Sequence, residues 1–214
     1  MAIGINCWLR NSMKNLLNLS VSNEFYEACG EWEFTGEVFD YEEPREICEL
    51  CEKDELRYHF KIKNDITESS LLVGSKCILK FSDIRITNDV GELETSYSER
   101  ERRLRAALER HRIENFLVKL RKMYRMLRND YDKVIMARVG MSIKLKEKLP
   151  PSDALWLVNA MENYNFSFED APVSICLATN EHKAQLSRMP KRHLNSIWCI
   201  LSTQQQEKYK HLIC

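Results

Sequence analysis

The chain is predicted to adopt an α+β fold: a small zinc-stapled β-hairpin module followed by a mainly α-helical bundle. Three observations predict it. Cys48 and Cys51 stand directly before an alternating apolar–polar stretch that turns and returns to a third cysteine, Cys77. From Ser96 onward apolar residues recur instead at three- and four-residue steps. Charge segregates as well: residues 1–60 hold 13 acids against 5 bases, whereas residues 99–128 hold 11 bases against 4 acids. The boundary is therefore placed near residue 95. Residues 1–95 form a zinc-ribbon-like α+β module with N-terminal helices, and residues 96–214 form a helical domain with a long basic helix.

Along the chain, residues 10–33 pattern as one or two helices, with Leu16, Leu17, Leu19, Phe25, Tyr26 and Trp32 as buried candidates. Ser22 or Asn23 can cap the second, and Gly30 weakens or ends it. Residues 56–63 alternate, which suits a half-buried strand turning Tyr58, Phe60 and Ile62 inward. The polar run 64–70 makes the turn, residues 71–73 the return strand, and residues 84–87 one further short strand. Leu104, Leu108, Phe116, Leu117, Leu120, Tyr124 and Leu127 then line a helix of about 45 Å. Glu99/Arg103 and Glu101/Arg105 support its surface at four-residue spacing. Pro150 and Pro151 open a helix carrying Leu155, Trp156, Val158 and Met161, and residues 173–177 suggest a short strand. Helices resume near Asn180, after Pro190 and after Ser202, where Ser-Thr-Gln-Gln fits a capping box.

With 214 residues, 44% of them hydrophobic and 30% charged, the chain can bury a core, which excludes collagen-like and globally disordered readings. No stretch approaches the roughly 18 consecutive apolar residues of a membrane span. The segment from Met1 to Arg10 lacks the features of a secretion signal, so a cytoplasmic location is expected. Thirty-two bases balance 32 acids, which argues against coating nucleic acid by bulk charge.

Eight cysteines without an export signal favour metal ligation plus buried thiols over a disulfide framework. The two-residue gap between Cys48 and Cys51 lets a tight turn aim both thiolates at one tetrahedral ion, expected to be zinc. The hairpin runs away from that ion and returns, placing Cys77 beside the turn. Unligated buried thiols are the plainer alternative; a thioredoxin-like redox pair fits less well, because the motif precedes a strand rather than opening a helix. For the fourth ligand, Cys29 is favoured over His59. An extended strand advances about 3.3 Å per residue, which carries His59 beyond a metal–nitrogen bond of about 2.1 Å unless the strand bends.

Gly30-Glu31-Trp32, the Cys48/Cys51 pair, the strand 56–64 and the run 73–81, Val-Gly-Ser-Lys-Cys-Ile-Leu-Lys-Phe, together resemble a group of bacterial and bacteriophage proteins. Those carry a small zinc-ribbon-like module with a Cys pair and a following Val-Gly-Ser-x-Cys-Ile segment. The resemblance covers roughly residues 24–90, and Glu52 stands where such turns often carry glycine. It implies a prophage or mobile-element setting and no dedicated catalysis.

The basic helix offers Arg100, Arg102, Arg103, Arg105, Arg110, Arg112, Lys119, Arg121, Lys122, Arg125 and Arg128. Arg102, Arg105, Arg112, Lys119 and Arg125 are the candidate phosphate contacts; a solvated bundle face is the bland alternative. Cys176, His182, His193 and Cys199 have ligand chemistry but no structural-zinc spacing, and Cys214 with His211 sits on a terminal turn. No phosphate-cradling loop, dinucleotide fingerprint, zincin helix or nucleophile elbow occurs, so no enzyme is expected. The expected function is a zinc-binding phage or bacterial protein that binds nucleic acid through residues 99–128. The alternative is an inhibitor or adaptor that engages a host defence enzyme through its acidic N-terminal face.

Overall fold

A computed structural model describes residues 7–213. The fold is α+β, with a three-stranded antiparallel sheet and nine α-helices among the described residues. Two compact units divide between His111 and Arg112.

The first unit begins with helix α1 (Cys7–Leu17) and the short α2 (Phe25–Cys29), which stops at Gly30. The Glu31 carboxylate accepts the N–H groups of Val21 and Ser22 at 2.9 and 2.7 Å and the Asn64 amide at 2.7 Å. One side chain thereby ties the α1–α2 loop to the sheet. Trp32 is fully buried and donates its indole N–H to Ser20 at 2.9 Å, but it opens a strand rather than continuing a helix.

That strand, β1 (Trp32–Asp40), is not anticipated from the sequence. It pairs antiparallel with β2 (Tyr58–Asn64), which pairs with β3 (Ser70–Val73), so the expected hairpin gains a third strand. Phe34 faces Ile62, and the next pair is Val38 with Phe60. The bulge absorbs residues 35–37 around Gly36, whose φ of +84° is cheap only for glycine. Those residues are exposed, so apolar alternation is interrupted mid-strand. On β2, Phe60 and Ile62 are buried as expected, while Tyr58 is half-buried. His59 is also buried, with the ring of Tyr41 edge-on at 5.3 Å.

Residues 84–87 add one parallel bridge rather than a full strand. Arg85 N–H donates to Trp32 at 2.8 Å, and its carbonyl accepts from Phe34 at 2.9 Å, covering the outer edge of β1. Trp32, Leu16, Leu50, Ile62, Ile78, Ile84 and Ile86 form the most deeply buried part of this core.

Helix α3 (Ser75–Lys80) follows β3, and α4 (Tyr97–Met126) spans 30 residues. In the second unit, Asn129 caps α5 (Asp130–Lys144) by accepting the Tyr131 N–H at 2.8 Å. Pro151 stands in the first turn of α6 (Pro151–Asn163). Helices α7 (Asn180–Ser187), α8 (Lys191–Ile197) and α9 (Thr203–Tyr209) follow, the last with the expected capping box between Ser202 and Gln205. The stretch 173–177 contributes a single parallel bridge, Leu149 with Ile175. Met123, Val139, Leu149, Leu157, Leu186 and Ile197 centre this second core. No helix among the described residues is long and apolar enough to cross a membrane.

Candidate metal centre

The turn bearing the first two thiols is closed by its own backbone and anchored from below. Cys48 N–H donates to Lys53 at 2.8 Å, and Glu52 N–H donates to Cys48 at 2.8 Å. Leu50, between the cysteines, is fully buried and pins the turn to the core. Glu52 adopts φ +61°, the left-handed conformation for which glycine is the usual residue. Its carboxylate is held by the Asn11 amide at 2.8 Å and the Asn15 amide at 3.2 Å, and Asn15 also donates to Leu50 at 3.1 Å. Helix α1 thus supplies hydrogen bonds that a glycine could not receive.

The third thiol arrives on a helix, not on the strand end. β3 stops at Val73, and Cys77 lies in the first turn of α3 with its N–H donating to Gly74 at 2.9 Å. Gly74 is closely packed: a Cβ there would meet a Leu56 methyl at 3.2 Å, and that side chain would have to give way. Its N–H also donates to the Cys48 sulfur at 3.4 Å. Turn and strand are sewn together further by Glu49, whose N–H donates to Leu72 at 3.0 Å while its carboxylate accepts the Leu72 N–H. At the far end of α3, the buried Arg100 guanidinium donates to the carbonyls of Ile78 at 2.8 Å and Phe81 at 3.2 Å.

Cys48, Cys51 and Cys77 are all buried, and their three sulfurs lie within 4.8 Å of one another. Cys48 and Cys77 are 3.7 Å apart. Three sulfurs at about 2.3 Å from one tetrahedral ion would be separated by about 3.8 Å, so the residues present fit such an ion with shifts of about an ångström or less. The electrostatics run the same way. The hydrogen bond from Cys77, with backbone N–H groups of Cys51, Gly74 and Leu50, outweighs burial and holds the Cys48 thiol down to about 5. That same contact and burial push Cys77 up, and burial raises Cys51. One sulfur is therefore poised as a thiolate, with two thiols crowded beside it that a cation would deprotonate.

Cys29, expected as the fourth ligand, is not in the group. It is the last residue of α2 and fully buried, and desolvation, with the charge of Asp83, pushes its thiol up to about 12. It serves as a small core hydrophobe rather than a source of thiolate. His59, the alternative, also lies outside the group; both ring nitrogens are buried without a hydrogen bond. Cys176 is half-buried and Cys199 exposed, and neither belongs to a ligand cluster. Cys214 lies outside the described residues.

The basic helix is less uniform than its sequence. Arg100 points inward, and Arg103 donates to the Thr87 carbonyl at 3.1 Å and Asp89 at 2.6 Å, so both are structural. Arg105 pairs with Glu101 at 2.8 Å and Arg102 approaches Glu94 at 4.0 Å, although both side chains stay exposed. Arg112 is half-buried. Within the second unit Lys119 is half-buried and Arg121, Lys122, Arg125 and Arg128 are exposed, none with a carboxylate partner among the described residues. Tyr124 is 42% exposed among them. Burial of Arg100 was invisible in the sequence because its acceptors lie 19 and 22 residues away. No family model, curated protein or solved structure matches the chain, which leaves the geometry of the site to carry the reading of function.

Proposed function

We propose that Cys48, Cys51 and Cys77 hold a zinc ion that staples the first unit, and that the protein is a non-enzymatic binder of nucleic acid. The observation that carries the metal reading is three buried sulfurs gathered within 4.8 Å from two separate elements. A donor set of three thiolates selects a soft or borderline cation, and zinc is the abundant one.

For the partner, the uncompensated run of Lys119, Arg121, Lys122, Arg125 and Arg128, interleaved with Tyr124, suits a phosphate backbone and a stacked base. Arg102, Arg105 and Arg112 contribute less, their charge being partly matched or half-buried. The acidic stretch 31–55 favours a protein partner less strongly. Glu31, Asp40, Glu49 and Glu52 are engaged inside the unit, and Glu37 and Glu43 pair with Lys61 and Arg45.

Elemental analysis of reduced, unchelated protein tests the first part, with about one zinc per chain expected. Cys48→Ser, Cys51→Ser and Cys77→Ser lose it, and Cys29→Ser keeps it. Fluorescence anisotropy on single- and double-stranded DNA and RNA tests the second. Lys119→Gln with Arg125→Gln should lower the salt slope by about 0.7–0.9 per lost phosphate contact. No binding at low salt, with a host protein recovered in stable complex, would turn the reading toward the acidic face.

A further inference from the structure

The thiol group borders a cavity. Cys48, Cys51 and Cys77 line a cavity of about 420 Å³ within the first unit, a volume suited to a small molecule. A tetrahedral ion held by three sulfurs retains one coordination position. No fourth His, Cys, Asp or Glu among the described residues joins the group to fill it. The cavity walls are apolar at Trp8, Leu56 and Leu108, yet Lys53, Lys76 and Lys80 line it against one carboxylate, Glu55. Lys80 lies 3.8 Å from the centre of the Trp8 ring. Lys53 and Lys76 are exposed and have no carboxylate partner among the described residues.

Resting on the zinc reading above, we infer that the fourth position takes a small organic thiol from outside the chain, bound as its thiolate. Three thiolates and a divalent cation leave a net charge of −1, and a fourth thiolate makes it −2. The lysines offset that gain without supplying a competing donor, since a protonated amine cannot ligate. The soft donor set already present favours sulfur over a carboxylate or other oxygen ligand. In the binding step the thiol S–H bond breaks, its proton leaves to solvent, and the sulfur lone pair forms the metal–sulfur bond. Nothing is oxidised or reduced. Apolar walls suit the carbon chain of the ligand, and one of them is Trp8, whose ring stacks on Phe81 at 4.9 Å.

Cobalt(II) substitution of the full chain tests this, with 2-mercaptoethanol and N-acetylcysteine as probes and acetate as control. The sulfur-to-cobalt charge-transfer band should rise saturably on adding thiol, by about one third as three sulfur ligands become four. Acetate should not raise it. Lys53→Gln with Lys76→Gln should weaken thiol binding several-fold while leaving the cobalt stoichiometry unchanged. A cobalt-loaded protein whose band ignores both thiols overturns the inference and leaves the metal reading standing. Loss of the band with cobalt recovered in the filtrate also overturns it. Failure of the wild-type protein to take up cobalt or zinc at all removes both.

Discussion

Replacing Arg100 by methionine is expected to loosen the helix that presents Cys77 while leaving every exposed cation in place. The guanidinium makes two hydrogen bonds to carbonyls at the end of α3, at 2.8 and 3.2 Å. Hydrogen bonds from a charged donor are worth about 1.5–3 kcal/mol each, so the gross loss is about 3–5 kcal/mol with the longer bond at the weak end. Methionine retains much of the apolar stem, and relief of the desolvated charge returns part of the loss. A net destabilisation of about 2–3 kcal/mol remains, equivalent to a fall in Tm of about 10 °C for a unit of this size. Thermal unfolding followed by tryptophan fluorescence reads the total, and hydrogen exchange by mass spectrometry locates it in peptides covering α3. Faster exchange confined to α3 and its surroundings, with unaltered salt dependence of any nucleic-acid binding, is the expected pattern. Wild-type exchange across residues 75–81 and a Tm within about 2 °C would refute the role assigned to the side chain.

Other perturbations separate backbone from side-chain effects. Glu52→Ala keeps the left-handed φ of +61° and loses the bonds from Asn11 and Asn15, whereas Glu52→Gly loses the bonds but relieves about 1 kcal/mol of backbone strain. Both variants melt below wild type, the glycine variant above the alanine one. At Asp40, burial opposes the charge, but hydrogen bonds from Arg57 and the Glu42 N–H and the charge of Arg57 outweigh it, holding the carboxyl below its usual range. Its contribution is present above the unfolded value near pH 4 and lost as pH falls through the depressed folded value. Asp40→Asn should flatten the acid limb of stability there, as read by urea denaturation at stepped pH. In the second unit, Arg138→Met strips the bidentate partner from buried Asp153, bonded at 2.7 and 2.8 Å. A loss of about 2 kcal/mol is expected, partly recovered by adding Asp153→Asn.

The hairpin and the cysteine turn were legible because their signals are local: period-two alternation over 56–63, a polar turn, and a fixed two-residue gap. The capping box at Ser202 was legible for the same reason. β1 was not, since the bulge around Gly36 puts three exposed residues where alternation should continue. The arrival of Cys77 near the turn could be anticipated from the length of the hairpin. Its carriage on a helix could not, because Gly74 both ends β3 and donates to the Cys48 sulfur. Cys29 could not be told apart because a thiol inside the group of three and one outside it share one letter in the sequence. Their difference lies in neighbours set by tertiary packing, as does the difference between Arg100 and the solvent-facing arginines around it.

The bonding of Glu49 to Leu72, together with that of Gly74 to the Cys48 sulfur, has a consequence for how the chain behaves when thiols are oxidised or chelators are present. These bonds occupy the outward-facing groups of a strand whose sequence, Ser-Leu-Leu-Val, would otherwise be an adhesive template for other copies. On the opposite flank Arg85 performs the same service for β1. Unravelling the cysteine turn would bare one flank only, and self-association would then proceed through Leu71, Leu72 and Val73. Solubility in storage should accordingly decline as the three thiols of the turn and of α3 are lost to oxidation.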